Sequence, residues 1–214
     1  LKIIWLVLFY HAGETGFDFF MLEVILDVET KKIFDDVGGY FPDRLGISFV
    51  GVCVRENKGS KGQMQSYFEK DIPKLLELLE RADVVVGFNV DSFDMQTLVP
   101  YYSADITKIP TLDVMTRIKD SVGHRISLDA VAKETLGAGK IGDGLDAIKY
   151  YKAQQWDKLE KYCLKDVEVT RDVYDYGLKK GEVKFKNKWN RLITCPVDFK
   201  FVPKKDAGVQ MSLI

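Results

Sequence analysis

A chain of 214 residues with 46% hydrophobic content has room for one packed domain with appended elements, and its 31 Lys plus Arg against 32 Asp plus Glu neither demand nor exclude a nucleic-acid partner. Cys53, Cys163 and Cys195 are too few and too widely spaced for a disulfide framework or a paired-cysteine zinc site, and with only His11 and His124 a Ser/His/Asp triad is hard to assemble. Carboxylates are the remaining catalytic stock, and a reducing compartment is expected.

Residues 3–10 form an apolar run too short to span a bilayer. Only Lys2 precedes it, and His11-Ala12-Gly13-Glu14 makes a poor cleavage site, so a cytoplasmic location is expected. With Met21 directly before the first convincing strand, residues 1–20 read as an N-terminal extension. Residues 22–28 are a nearly continuous apolar run suited to a central strand covered on both faces. Residues 46–54 and 63–68 predict two more strands, and three in succession suggest a meander. Asp71 is placed to cap a helix with Pro73 in its first turn and an apolar stripe from Leu75 to Ala82, ending near Arg81. A short buried strand over 84–88 precedes a helix over 92–99 that stops near Pro100. A last strand over 111–114 leads to helices over 127–136, 145–153 and 156–178, with Ser127 as N-cap and Gly137 as C-cap of the first. The second half reads as helical, and residues 21–178 read as one α/β unit. Residues 179–214 read as a basic C-terminal extension, with nine Lys or Arg against two acids between residues 179 and 205.

Three acidic segments stand out along this order. Asp27 and Glu29 lie two apart on the first strand, where period-two alternation points both to one face. Two carboxylates in one small space repel unless a cation neutralises them; if the strand instead ends at Val28, Glu29 is solvated. Asn89-Val90-Asp91-Ser92-Phe93-Asp94 falls where the fourth strand gives way to a helix, the end of an open sheet at which sites are built. Asp94 falls in the first helical turn, and Asp91 is a rival for the same role. Tyr162 and Asp166, four apart on the longest helix, share a face.

Taken in order, D-x-E at Asp27 and Glu29, N-x-x-x-F-D ending at Asp94 and Y-x-x-x-D from Tyr162 to Asp166 resemble the three exonuclease motifs of the DEDDy branch of the DnaQ-like family. Within it the chain is similar to stand-alone ribonuclease H-like proteins of the YprB type, and the same motifs occur in proofreading domains of family B DNA polymerases. The sister DEDDh branch has a His where Lys161 stands here. The resemblance implies a ribonuclease H-like fold with a central mixed five-stranded sheet flanked by helices, and a 3′ to 5′ exonuclease. It also implies two Mg²⁺ or Mn²⁺ ions held by Asp27, Glu29, Asp94 and Asp166, with Tyr162 orienting the attacking water. Hard, oxygen-preferring cations suit such a donor set, and two of them flanking a phosphate suit phosphodiester hydrolysis. Asp113, Asp143 and Asp146 read instead as caps or solvated acids.

The glycine-rich stretch 137–144 is not a P-loop, because Glu134 and Ile141 stand where Gly and Ser or Thr are needed. Phe185, Trp189 and Phe199, among the cations of the last segment, either stack on bases of a bound strand or pack on the core. Gln210-Met211-Ser212-Leu213-Ile214 resembles the bacterial sliding-clamp-binding peptide, which would favour DNA over RNA, or is a frayed tail. Two other readings keep the same residues: a ribonuclease H-like endonuclease, and a non-catalytic nucleic-acid or clamp-binding adaptor.

Overall fold

β1 (Glu23–Thr30) runs two residues further than its apolar signal, so Asp27 and Glu29 both lie within the strand. The computed structural model describes residues 21–56, 60–137 and 145–201; the glycine-rich stretch beyond Gly137, residues 1–20 and the peptide 210–214 lie outside them. β2 (Ile47–Arg55) and β3 (Gln63–Phe68) continue β1 as the expected antiparallel meander, and β4 (Val84–Gly87) and β5 (Thr111–Asp113) join its other edge in parallel. The result is the expected mixed five-stranded sheet, in the order β3-β2-β1-β4-β5.

The sheet is buried on both faces, which is why its central strands read as unbroken apolar runs. Val24, Leu26 and Val28 of β1 join Val50, Val52 and Val85 under α1 (Ile72–Arg81) and α2 (Asp94–Leu98). On the opposite face, Ile25, Cys53, Val84 and Val86 pack against α3 (Val114–Val122), α4 (Leu128–Leu136) and the C-terminal half of α6 (Trp156–Lys180). α5 (Leu145–Lys152) joins a smaller cluster in which Phe49, Ala147, Leu159 and Cys163 are buried. No helix among the described residues is long and apolar enough to cross a membrane.

Four local expectations change. Asp71 stands at the N-cap of α1 but its carboxylate accepts no bond from the helix; a 3-10 turn, Glu69–Asp71, precedes it, and Asp71 lies 3.8 Å from Lys74. The helix expected from residue 92 begins at Asp94, because residues 91–93 are spent on the turn out of β4. α3 was not anticipated: Asp113 ends β5 and at once caps the helix by accepting from Thr116 N, and Gly123, left-handed at φ 82, ends it. The C-terminal half is not wholly helical either. After the C-cap Gly181, β6 (Glu182–Lys186) and β7 (Leu192–Pro196) form an antiparallel hairpin. Of the aromatics in this segment, Phe185 and Phe199 are buried in the core and Trp189 is exposed. Phe199 lies so close to Gly177 that a Cβ there would come within 2.3 Å of its ring. Ser127 and Gly137 act as the expected caps of α4.

α6 is seated by charge as well as by apolar contact. Arg55, at the end of β2, donates to Glu23 Oε2 at 2.7 Å and to both oxygens of Asp175 at 2.7 and 2.9 Å, while Tyr174 Oη donates to Glu23 Oε1 at 3.1 Å. Glu23 and Arg55 are buried, so the pair is tolerated only because each is bonded on several sides. Glu23 shares the α6-facing side of β1 with Asp27 and Glu29. The ionic lock therefore holds one end of the strand against α6, and the acidic pair faces the same helix at the other end.

Candidate active site

β4 leaves the side of β1 after the pairing of Ile25 with Val86, so the N–H of Val28 has no ladder partner on that edge. Asp94 fills the gap: its Oδ1 accepts from Val28 N at 2.8 Å. This bond ties the first turn of α2 to the backbone residue between Asp27 and Glu29. The turn that delivers Asp94 is itself held by Asp113, which accepts from Asn89 N at 3.0 Å and Asp91 N at 3.3 Å in addition to capping α3. Asn89 is left-handed at φ 71, and its side-chain oxygen is buried without a protein partner. Between the two rivals of the sequence, Asp94 is the buried one; Asp91 is exposed and lines a separate hollow with Met95 and Ile106.

α6 supplies the third segment. Asp27, Val28, Glu29 and Thr30 of β1, Phe93 beside α2, Ile148 of α5, and Tyr162 and Asp166 of α6 line one cavity of about 240 Å³. Close approach of α6 depends on Gly51, the β2 partner of Asp27: a Cβ there would meet Cys163 Sγ at 3.0 Å, Val167 Cγ2 at 3.1 Å and Leu164 Cδ2 at 3.2 Å. Tyr162 and Asp166 act on each other electrostatically, as the four-residue spacing on one helix allows.

The electrostatics are those of crowded, desolvated acids. Burial, partly offset by the hydrogen bond from Cys163, pushes the Asp27 carboxyl up to about 6. Burial and then the field of Asp27 push Asp166 up to about 8. Glu29 is held well above the carboxylate range by burial and then by Asp27, Asp166 and Asp94; Asp94 is likewise raised by burial and by Asp27, against the pull of the Val28 N–H. Burial and the neighbouring acids raise the Tyr162 phenol too, so it stays protonated at neutral pH. Nearby cations are engaged elsewhere: Lys31 with Glu69, Lys165 with Glu168 and Arg171 with Asp172. One oxygen of Asp166 is buried with no hydrogen-bond partner, an orphaned acceptor of the kind that a cation satisfies.

Ligand atoms of Asp27, Glu29 and Cys163 lie within 4.8 Å of one another, close enough to share an ion. The residues present fit a divalent metal: Asp27 and Glu29 supply oxygen donors within that group, and Asp166, outside it but lining the same cavity, has a raised pKa and an unsatisfied acceptor. Cys163 is the member that motif reading missed; its Sγ lies 3.4 Å from Asp27 Oδ2 and 3.5 Å from Asp27 O. No motif marks it; only its three-residue separation from Asp166 makes the two neighbours on α6. Asp129, at the start of α4, also contributes to raising Asp166. Asp146 pairs with Lys149 at 2.8 Å, in keeping with a surface role.

Residues 24–177 match the family model RNase_H_2, described as RNase_H superfamily. Among solved structures the chain is similar to the family B DNA polymerase from the hyperthermophilic archaeon Pyrobaculum calidifontis, with 18% identity over 74% of this chain and a TM-score of 0.56. It spans 24% of that polymerase's length, so the likeness is one of fold. Brucella melitensis NrnC with bound Mg²⁺ is a more distant match, at 15% identity over 76% of this chain and 90% of that one, with a TM-score of 0.38. No curated protein matches the chain.

Proposed function

Because the chain belongs to the RNase H superfamily, we propose that it is a metal-dependent nuclease and, within that class, a 3′ to 5′ exonuclease of the DEDDy type. The observation that carries the reading is the convergence of Asp27, Glu29, Tyr162 and Asp166 on one cavity, with Asp94 bonded to the backbone between the first two. Asp27, Glu29, Asp94 and Asp166 would hold two Mg²⁺ or Mn²⁺ ions, hard cations suited to carboxylate oxygens. Bound there, such ions supply charge stabilisation at the phosphoryl oxygens and lower the pKa of a water.

The protein's own residues supply position and protons. Asp94 is fixed by the Val28 N–H against the strand that carries Asp27 and Glu29. Tyr162 keeps its proton and serves as a donor that orients water or phosphate beside Asp166, since a phenol raised above its usual range is no base at neutral pH. Phe93 and Ile148 supply apolar wall against which a terminal nucleoside can lie. Lys161 occupies the position where the histidine branch carries its base, which favours the tyrosine branch. DNA is the favoured substrate on the strength of the clamp-like peptide at 210–214, a reading of sequence alone.

The test uses a 3′-labelled linear strand and a circular strand of the same sequence, as DNA and as RNA, with Mg²⁺ present or chelated. Stepwise loss of the 3′ end of the linear DNA, with the circle intact and activity abolished by chelation or by Asp27→Asn, is the expected result. Tyr162→Phe should slow turnover by about 10²-fold without abolishing it. Cutting of the circle would replace the proposal with an endonuclease, and a fully active Asp27→Asn protein would remove the site.

A further inference from the structure

The β6–β7 hairpin shows a division of labour between its faces. Its inner positions, Val183, Phe185 and Cys195, are buried in the core, and Thr135 of α4 exchanges two hydrogen bonds with Lys184, Oγ1 to the carbonyl at 3.0 Å and N–H to Oγ1 at 2.8 Å. The outer face carries Lys184 and Lys186 opposite Thr194 and Leu192, and the tip carries Lys188, Trp189 and Arg191. Trp189 is 69% exposed and Leu192 55%, the most exposed large apolar side chains among the described residues.

Exposure of an indole at a loop tip is ordinary when the loop is loose, but this loop is tied from within. Asn187 Oδ1 accepts from both Trp189 N at 3.0 Å and Arg191 N at 3.1 Å, Asn187 N donates to Arg191 O, and Asn190 N donates to Asn187 O with Asn190 left-handed at φ 58. The Lys188 ammonium sits 4.5 Å from the centroid of the Trp189 ring. A rigid arm thus presents an aromatic face flanked by cations, the combination that holds a strand by stacking on its bases and neutralising its phosphates. Even after the pairs Lys184–Glu182 and Lys186–Glu134, the arm is positive at Lys188 and Arg191.

Position fits the same occupant. The arm grips the C-terminal end of α4, whose N-terminal Asp129 acts electrostatically on Asp166. Six residues of α4, about 9 Å along its axis, separate Asp129 from Thr135, so the arm is anchored beside the acidic cavity and not within it.

We propose that the β6–β7 arm is a second contact for single-stranded nucleic acid, holding the part of the strand upstream of the terminal nucleotide. The proposal rests on the nuclease reading for its occupant and on the hairpin itself for its geometry. The test measures, in chelator, the affinity of the full chain for a labelled single strand of about twenty nucleotides, and separately the cleavage of a dinucleotide too short to reach the arm. Trp189→Ala should weaken binding of the long strand by about 5- to 150-fold. Lys188→Gln with Arg191→Gln should flatten the logarithmic salt dependence by about 1.4. Dinucleotide kcat/KM and the melting temperature should stay unchanged in both proteins. Unchanged affinity and salt slope would overturn the proposal, as would loss of dinucleotide cleavage in parallel with binding. A shift in oligomeric state on Trp189→Ala with strand binding intact would also overturn it, by assigning the arm to a protein partner. Because binding is read without metal, a chain that binds through the arm yet cleaves nothing would sink the nuclease reading and leave the arm standing.

Discussion

Val28 gives its N–H to Asp94, so this carboxylate closes an open position in the backbone ladder while acting electrostatically on Glu29. Substitution separates the two roles. An amide at position 94 keeps an oxygen acceptor for Val28 and removes the charge, whereas alanine leaves a buried N–H unsatisfied, a loss of about 1–3 kcal/mol. Asp94→Asn is therefore expected to melt within a few degrees of the parent and to lose metal-dependent hydrolysis, and Asp94→Ala to lose both stability and hydrolysis. Equal melting temperatures for the two variants would show that the Val28 bond contributes nothing. Asp91, three residues earlier, could not have been told apart from Asp94 by its residue type. The difference comes from where β4 stops pairing with β1, and no local pattern in the sequence encodes that point.

α6 makes two close approaches, to Gly51 of the sheet through Cys163, Leu164 and Val167 near the cavity, and through its own Gly177 to Phe199 of the segment after β7, some three to four turns away. Overpacking costs about 1–3 kcal/mol wherever it is introduced, but its effect on chemistry depends on which end of the helix moves. Gly51→Ala is expected to lower turnover by tenfold or more, in proportion to the tolerance of a misplaced reacting group. Gly177→Ala should lower the melting temperature and leave turnover per folded molecule near that of the parent, because the Arg55–Glu23–Asp175 lock stands between it and the site. Rates measured below both melting points decide the matter, and equal losses from the two substitutions would refute the polarity. The elements that sequence reveals are those whose pattern stands alone. β1 shows an apolar run, β3 its flanking turns, α4 both of its caps. α3 was hidden because Asp113 serves as last strand residue and first cap, leaving no break before Val114. The hairpin was hidden because the charge of residues 179–205 masked the alternation of Val183 with Phe185 and of Ile193 with Cys195. The acidic motifs were legible as types and spacings, but their meeting depends on strand order and on Gly51, and Cys163 had no motif to announce it.

Across the whole molecule, placing three carboxylates around one cavity, with a fourth, Asp94, bonded to the strand beside it, works against folding unless something neutralises them, and this makes stability a readout of the site. Asp27 is raised to about 6 and Asp166 to about 8, with Glu29 and Asp94 also raised, whereas the unfolded chain has ordinary carboxyls near pH 4. Between those limits the native state binds more protons than the unfolded state, so the slope of stability against pH is negative. The penalty is absent below about pH 4 and grows as these groups ionise, the parts due to Asp27 and Asp166 developing as pH rises through about 6 and about 8. Glu69 and Glu168, whose partners lower their pKa, act with the opposite sign, but only at and below the ordinary carboxylate range. Metal-free protein is therefore expected to melt at progressively lower temperature as pH rises from about 5 to about 8. Mg²⁺ or Mn²⁺ engages the ionised site, so its stabilisation should be small at about pH 5 and largest at about pH 8, reversing or flattening the trend. Asp166→Asn should remove the part of the decline that lies between about pH 6 and pH 8 and weaken the response to metal. Thermal melts across this range, in chelator and in each cation, test all three expectations together. A metal-free melting temperature that climbs toward pH 8, or a response to metal that is the same at both ends, would mean that these acids do not share an ion.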